Sequence, residues 1–217
     1  MSHNHTYSYT RIRWFWTISL LSFLAFIGVA LLVISEKVSR LDTYFTEIVR
    51  RFEQPWLTVV AKGVTNMGSN VSIIVICIVV FTFMYFVLQT RREAMFFIAV
   101  ILSSAILNVL LKNMFQRLRP DINLLIEVTG YSFPSGHSMS AFTLYGILTF
   151  LLWAYLDTGA QRNIVLIVFV VIILSIGISR IYLGVHYPSD VIGGYLASCS
   201  WLMLVLGVYE SRQKHSV

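Results

Sequence analysis

Long apolar runs separated by short polar stretches are the feature that most constrains this chain. Of its 217 residues, 57% are hydrophobic and 12% are charged, whereas a soluble domain carries about 25% charged residues. Six of the runs are long enough, with their flanks, to cross a bilayer as helices. They cover residues 14–34, 71–88, 94–111, 138–156, 164–178 and 191–208. The sequence therefore predicts an all-α integral membrane protein with six transmembrane helices, folded as one membrane-embedded domain over residues 1–217.

The basic residues indicate which partners the chain has. The net charge is +6 and the pI is near 9.5, values that also suit nucleic-acid binding. Here the basic residues lie at the ends of apolar runs, where they meet anionic lipid headgroups. We therefore expect the lipid bilayer to be the partner, without nucleic acid and without an obligate protein partner.

The longest polar segment, residues 35–70, contains a second kind of pattern. Its apolar residues recur at helical spacing and charged residues lie between them, which predicts an amphipathic helix on the membrane face. The apolar positions are Leu41, Tyr44, Phe45, Ile48, Val49 and Phe52. The charged positions, interpreted as a solvated face, are Asp42, Glu47, Arg50, Arg51 and Glu53. Pro55 should break this helix.

Three short clusters place ionisable residues at the ends of apolar runs, where an uncompensated charge is costly and marks a functional site by default. They read Lys112-x6-Arg119-Pro120, Pro134-Ser135-Gly136-His137, and Ser179-Arg180-x5-His186-x3-Asp190. If Pro188 opens a helix, Asp190 in its first turn can reach back to His186. A carboxylate that holds one ring nitrogen leaves the other free to attack or to accept a proton. Arginine forks and a glycine turn at a helix start suit a phosphoryl group.

Helix parity brings these clusters together. With six crossings, the end of an odd-numbered helix and the start of the next even-numbered one lie on the same side of the membrane. Lys112 ends the third crossing, His137 starts the fourth, Arg180 ends the fifth and His186 starts the sixth. The loop 35–70 lies on that side too and could cover the site. The short turn 89–93 and both tails are the more basic per residue, which favours cytoplasmic termini and a site on the outer face.

In these three motifs the chain resembles the type 2 phosphatidic acid phosphatase superfamily, which also includes bacterial acid phosphatases, glucose-6-phosphatase and vanadium haloperoxidases. All three signatures are present, in order and at full spacing. The six-helix form with a long first loop is similar to the bacterial phosphatidylglycerophosphatase B type, over most of the chain. The resemblance implies a lipid phosphatase that needs no metal or cofactor.

The resemblance also implies a role for each residue of the motifs. His186 would be the nucleophile that forms a phosphohistidine, and Asp190 would hold and polarise it. His137 would protonate the leaving alkoxide and then activate water. The residues that would bind phosphate are Lys112, Arg119, Ser135, Gly136 and Arg180. Arg117 lies between Lys112 and Arg119 but is not one of the defined motif positions, and we expect it to contact lipid or solvent.

Other polar and small residues within the runs are interpreted as packing residues. Asn108, Ser103 and Ser104 in the third crossing should form interhelical hydrogen bonds, and Gly193 with Gly194 in the sixth should permit close packing.

Several substrates and two other classes of protein are compatible with the pattern. Phosphatidylglycerophosphate, giving phosphatidylglycerol, is the first hypothesis; undecaprenyl pyrophosphate and a broad phosphatidic acid specificity are alternatives. A transporter could use the same cations to bind an anion, and a peroxidase could hold vanadate in the same pocket. A phosphatase for water-soluble phosphates is a nearer rival. Replacement of His186 should abolish phosphatase activity in a phosphatase, whereas a transporter has none to lose. Comparing turnover of long-chain lipid phosphates and water-soluble phosphates should show which substrates a phosphatase prefers.

Overall fold

The computed structural model describes residues 9–120 and 124–214, and within these ranges it contains helices and no strand. The α-helices are α1 (Tyr9–Ile34), α2 (Ser39–Arg50), α3 (Pro55–Asn66), α4 (Asn70–Thr82), α5 (Arg91–Phe115), α6 (Gly136–Leu152), α7 (Gly159–Tyr182) and α8 (Pro188–Lys214). A π-helical turn, Phe83–Val87, continues α4, and a 3-10 turn, Trp153–Tyr155, continues α6.

Six of these helices are long and apolar enough to span a membrane, which confirms the predicted all-α fold with six crossings. They are α1, α4 with its π turn, α5, α6 with its 3-10 turn, α7 and α8. Most of their large apolar side chains are exposed on the outside of the bundle, as expected of helices that face lipid.

Several helices extend beyond the apolar runs that predicted them. α1 begins at Tyr9 instead of residue 14, and α8 continues to Lys214 instead of ending at 208. The polar residues of these extensions find partners: Arg11 Nε donates to Glu210 Oε2 at 2.9 Å, joining α1 to α8. Glu210 is 1% exposed, so this pair holds a carboxylate that would otherwise be buried without a counter-charge. Hydropathy alone did not predict these helix extensions, because a helix can continue into a polar segment where partners satisfy its polar side chains.

Helices α5 to α8 pack around a shared apolar core. Its fully buried members are Phe97, Val100, Ala141, Leu144, Ile147, Ile176, Leu202 and Leu206. Polar groups cross-link the same helices: the hydroxyls of Ser104 and Thr143 are 2.8 Å apart, and Trp201 Nε1 donates to Ser103 Oγ at 3.0 Å. Asn108 Nδ2 lies 2.9 Å from Met139 Sδ. The predicted interhelical contacts of the third crossing are therefore confirmed.

The first loop forms two helices, α2 and α3, with Pro55 at the start of the second. The predicted amphipathic helix is present as α2, but the interpretation of its charges as a solvated face is wrong for Asp42. This residue is 1% exposed, whereas Leu41 and Tyr44 are each 57% exposed. The helix thus turns polar Asp42 and Thr46 toward the protein and its apolar face outward, an orientation that fits a helix at the membrane interface.

Gly193 and Gly194 let α8 pack closely against the segment that begins α6. A Cβ added to Gly194 would lie 2.9 Å from the carbonyl oxygen of Ser135 and 3.0 Å from Ser138 Cβ. One added to Gly193 would lie 2.4 Å from the Phe133 ring. The predicted close packing is confirmed, and part of it is against a loop instead of a helix.

Replacing Gly194 with Ala should destabilise the protein by about 1–3 kcal/mol, because the added methyl group would force apart a backbone contact. The measurement is the thermal denaturation temperature of the purified protein in detergent. Gly28→Ala is the matched control, since a Cβ there meets nothing within 4 Å. Equal denaturation temperatures for the two variants would contradict the tight contact.

Candidate active site

The three motifs meet at one end of the bundle, as helix parity predicts. Lys112 lies in the last turn of α5, and Gly136 and His137 of the second motif are the first residues of α6. Arg180 lies in the last turn of α7 and Asp190 in the first turn of α8, with His186 between them. His186 is 2% exposed, whereas Lys112, Arg119 and His137 are partly exposed.

His186 is oriented through both of its ring nitrogens. α8 begins at Pro188, and this places Asp190 Oδ2 3.4 Å from His186 Nδ1. The same oxygen accepts the backbone N–H of Tyr187 at 2.9 Å. On the other side of the ring, Nε2 lies 3.4 Å from Arg119 Nη1. If Nδ1 carries the proton, as its carboxylate partner favours, the Nε2 lone pair faces the cationic side of the site.

Burial controls the protonation of His186. It lowers the pKa of the imidazole to about 4, and the hydrogen bond and charge of Asp190 offset this effect only in part. The imidazole is therefore neutral near pH 7. A neutral imidazole with a free Nε2 lone pair is the form that can attack an electrophile.

Arg119, Lys112 and Arg180 have neutral partners. Arg119 donates to the carbonyl oxygens of Gly130, Val185 and Thr129 at 2.9, 2.8 and 3.1 Å. Lys112 Nζ donates to the carbonyl oxygens of Tyr131 and Ser132.

Arg180 Nη1 donates to Thr65 Oγ1 of α3 at 2.8 Å, and its buried Nε has no hydrogen-bond partner among the described residues. Within residues 9–120 and 124–214, none of the three cations, Lys112, Arg119 and Arg180, forms an ion pair. Their charge is therefore available to an anionic ligand.

The turn before α6 is fixed by its own hydrogen bonds. Ser135 caps α6: its Oγ accepts from the backbone N–H of Ser138 at 3.5 Å and from the Ser138 hydroxyl at 3.0 Å. Ser135 is itself fully buried. Its backbone N–H donates to the Asp190 carbonyl at 2.9 Å and ties this turn to α8.

The next two residues of the turn face the cations. A Cβ on Gly136 would lie 3.1 Å from Asn108 Oδ1, a tight contact, and 3.7 Å from Lys112 Cε, an ordinary one, so glycine leaves room for Asn108 beside this turn. His137 is half-buried and lies within electrostatic range of His186, Arg180, Arg119 and Lys112. The turn therefore brings a second imidazole to the cationic pocket.

The expectation that Arg117 contacts lipid or solvent is wrong. Its side chain is 15% exposed and forms ion pairs with Asp190 at 2.6 Å and with Asp42 at 2.7 Å. Sequence reasoning missed Arg117 and Asp42 because neither is a defined position of a motif. One signal was available: Asp42 and Thr46 are four residues apart, so they lie together on one side of α2, beside its apolar face, and such a stripe can face the protein.

Comparison with known proteins identifies the family of this chain. Residues 93–214 match the PAP2 superfamily. Phosphatidylglycerophosphatase B of Bacillus subtilis (strain 168) is 32% identical over 189 residues, which are 87% of this chain and 93% of the relative. The putative undecaprenyl-diphosphatase YbjG of Escherichia coli (strain K12) is 34% identical over 116 residues, 51% of this chain and 54% of the relative.

A solved structure extends the agreement to the fold. The crystal structure of a transmembrane PAP2-type phosphatidylglycerolphosphate phosphatase from Bacillus subtilis superposes with a TM-score of 0.84 at 31% identity, over 89% of this chain and 96% of that chain. The family match spans more than half of the chain and contains all three motifs. With six membrane-spanning helices around the site, the chain belongs to the PAP2 superfamily and is a membrane-embedded phosphatase of that family.

Proposed function

We propose that this phosphatase hydrolyses lipid phosphates without a metal, through a phosphohistidine on His186, and that phosphatidylglycerophosphate is its main substrate. The observation that carries the proposal is the placement of His186, with Nδ1 toward Asp190 and Nε2 toward Arg119. The cations without carboxylate partners provide the positive charge that such a reaction needs around phosphorus.

In the first step, His186 Nε2 attacks phosphorus and the bond from phosphorus to the lipid oxygen breaks. His137, protonated once the anionic phosphate has bound beside it, gives its proton to the leaving lipid alkoxide. General acid catalysis of this kind contributes roughly 10²–10⁴-fold in rate. Lys112, Arg119 and Arg180 stabilise the negative charge on the phosphoryl oxygens, and each positioned donor contributes on the order of 10²–10³-fold.

In the second step, neutral His137 takes a proton from water as the water oxygen attacks phosphorus. The bond between phosphorus and Nε2 breaks, inorganic phosphate is released, and His186 returns to its neutral form. Asp190 remains a carboxylate throughout and compensates the positive charge that His186 carries in the intermediate.

The choice of substrate rests on similarity. The Bacillus subtilis relative is named for phosphatidylglycerophosphate, and its match extends over nearly the whole chain. The Escherichia coli relative supports undecaprenyl pyrophosphate as a second candidate, and a broad phosphatidic acid specificity is the third. The residues proposed as phosphate ligands recognise the phosphate group, which all three substrates share. The preference of the enzyme among them therefore depends on the rest of the lipid molecule.

Purified protein should release inorganic phosphate from lipid phosphates in the presence of EDTA, because the proposed chemistry uses only side chains. The experiment compares phosphatidylglycerophosphate, undecaprenyl pyrophosphate, phosphatidic acid and a water-soluble sugar phosphate. Vanadate should inhibit, since it mimics five-coordinate phosphorus. Loss of activity in EDTA would refute the metal-free mechanism, a preference for the soluble phosphate would refute the lipid specificity, and halide oxidation with vanadate would favour a peroxidase.

His186→Ala should lower kcat by about 10³–10⁶-fold, as removal of a nucleophile does in other covalent mechanisms. Brief mixing of the wild-type protein with labelled substrate should trap a phosphoenzyme that is labile to acid and stable to alkali, the mark of a phosphorus–nitrogen bond. His215→Ala, outside all three motifs, is the matched control and should keep full activity. Substantial turnover by His186→Ala would exclude this nucleophile, and a transporter would show no phosphatase activity to lose.

We also propose that the termini are cytoplasmic and that the site faces outward, as the basic tails and the basic turn 89–93 favour. A cysteine in place of exposed Glu127, in the loop before α6, should react with a membrane-impermeant maleimide in intact cells. A cysteine in place of exposed Arg92, at the opposite end of the bundle, should react only after permeabilisation. The wild-type chain, with buried Cys77 and half-buried Cys199, gives the background. The reverse labelling pattern would invert the orientation.

A further inference from the structure

Arg117 is the centre of a closed hydrogen-bond network that joins three parts of the chain. Its Nη1 donates to Asp190 Oδ1 at 2.6 Å and to Ser189 Oγ at 2.7 Å, and its Nη2 donates to Asp42 Oδ2 at 2.7 Å. Asp42 in turn accepts the backbone N–H of Ser189 at 2.9 Å and the Ser189 hydroxyl at 2.6 Å. The network therefore connects α2, the loop after α5 and the first turn of α8.

The network divides the two oxygens of Asp190 between two tasks. Oδ2 faces His186 Nδ1 and accepts the N–H of Tyr187, whereas Oδ1 accepts Arg117. A carboxylate held at both oxygens cannot rotate about its terminal bond without breaking a charged hydrogen bond, one of the stronger kinds in proteins. Arg117 thus fixes the plane of the group that orients the imidazole.

Burial and charge show why a second carboxylate is needed. Asp42 is 1% exposed and Asp190 0% exposed, and the Arg117 guanidinium also lies over the Tyr187 ring, 4.4 Å from its centroid. Removal of either carboxylate would cost Arg117 packing as well as attraction, because a broken buried ion pair leaves a charge without compensation. Asp42 holds Nη2 from the opposite side and keeps the guanidinium in place.

Arg117 also differs from the phosphate-binding cations in its partners. Arg119 and Lys112 donate to neutral carbonyl oxygens, whereas both terminal nitrogens of Arg117 donate to carboxylates. Its charge is therefore already compensated before a phosphate arrives. A fork engaged in this way is suited to hold a structure and unsuited to bind a further anion.

We propose that Arg117 is a positioning residue for phosphoryl transfer, which holds the Asp190 carboxylate on His186, and that Asp42 of the interfacial helix α2 holds Arg117. The inference rests on the proposed function, since it concerns the same nucleophile. It adds Arg117, in the spacer of the first motif, and Asp42, outside all three motifs; in this proposal they touch neither the phosphate nor the reacting atoms. It also makes α2 a part of the catalytic apparatus.

The test compares kcat and KM for a lipid phosphate in detergent micelles. Arg117→Met should lower kcat by about 10–100-fold, because a small misplacement of a reacting group costs about that much, and should leave KM and inhibition by vanadate unchanged. Arg117→Lys should recover part of the loss, since it keeps the charge without the fork. Arg51→Met, at the exposed residue that caps the C-terminus of α2, is the matched control and should behave as the wild type.

A double substitution tests the link to α2. Asp42→Asn should lower kcat less than Arg117→Met does, and the two together should be no worse than Arg117→Met alone, because residues in one network are not additive. Multiplied losses in the double variant would overturn the role of Asp42. If Arg117→Met does not fold, as judged by its thermal denaturation, Asp42→Asn decides in its place.

The outcomes separate this inference from the proposed function. A rise in KM with unchanged kcat in Arg117→Met would identify a phosphate ligand and overturn the positioning role. Unchanged kinetics in the Arg117 and Asp42 variants of an active protein would overturn the inference alone. Wild-type protein without activity on any lipid phosphate would overturn the proposed function and the inference with it.

Discussion

Burial of positive charge without a carboxylate partner is the constraint on which this structure depends. Charged side chains near membrane helices are costly unless they are paired or functional. At one end of this bundle, Lys112, Arg119 and Arg180 surround His186 and form no ion pair with any described residue. Carbonyl oxygens and one hydroxyl accept hydrogen bonds from these side chains but leave their charge uncompensated. Backbone dipoles support such a cluster, and an anionic ligand would complete it.

The helix ends explain how the cluster is assembled. Each cation or imidazole lies in the last turn of one helix, in the first turn of the next, or in the loop between them. The helices themselves are fixed by an apolar core and a few polar cross-links far from the site. The glycines of α8 bring the turn before α6 against the first turns of α8. Rigid helices thereby set the distances between loops that carry the chemistry.

Much of this could be predicted from the sequence, because the signals are local. Run length gives the six crossings, parity puts the motifs on one side, and the four-residue spacing of His186 and Asp190 allows their contact across Pro188. The alignment of Arg117 with Asp42 could not be predicted, since 75 residues separate them in the sequence and no motif links them. The same tertiary contact reverses the expected exposure of Asp42 on α2. The extensions of α1 and α8 were likewise missed, because the Arg11–Glu210 pair that stabilises them joins opposite ends of the chain.

The separation of carboxylates from free cations has an electrostatic consequence for the site. Two unit charges about 6 Å apart interact by about 3 kcal/mol at an effective dielectric constant near 20. Asp190 must be close to His186 to orient it, so an uncompensated carboxylate there would repel an incoming phosphate by an energy of this order. Arg117 offsets that charge from the side away from His186 Nδ1. In the proposed mechanism, the negative charge that orients the imidazole is thus compensated locally, and the field around the three unpaired cations stays positive, as phosphate binding and transfer would require.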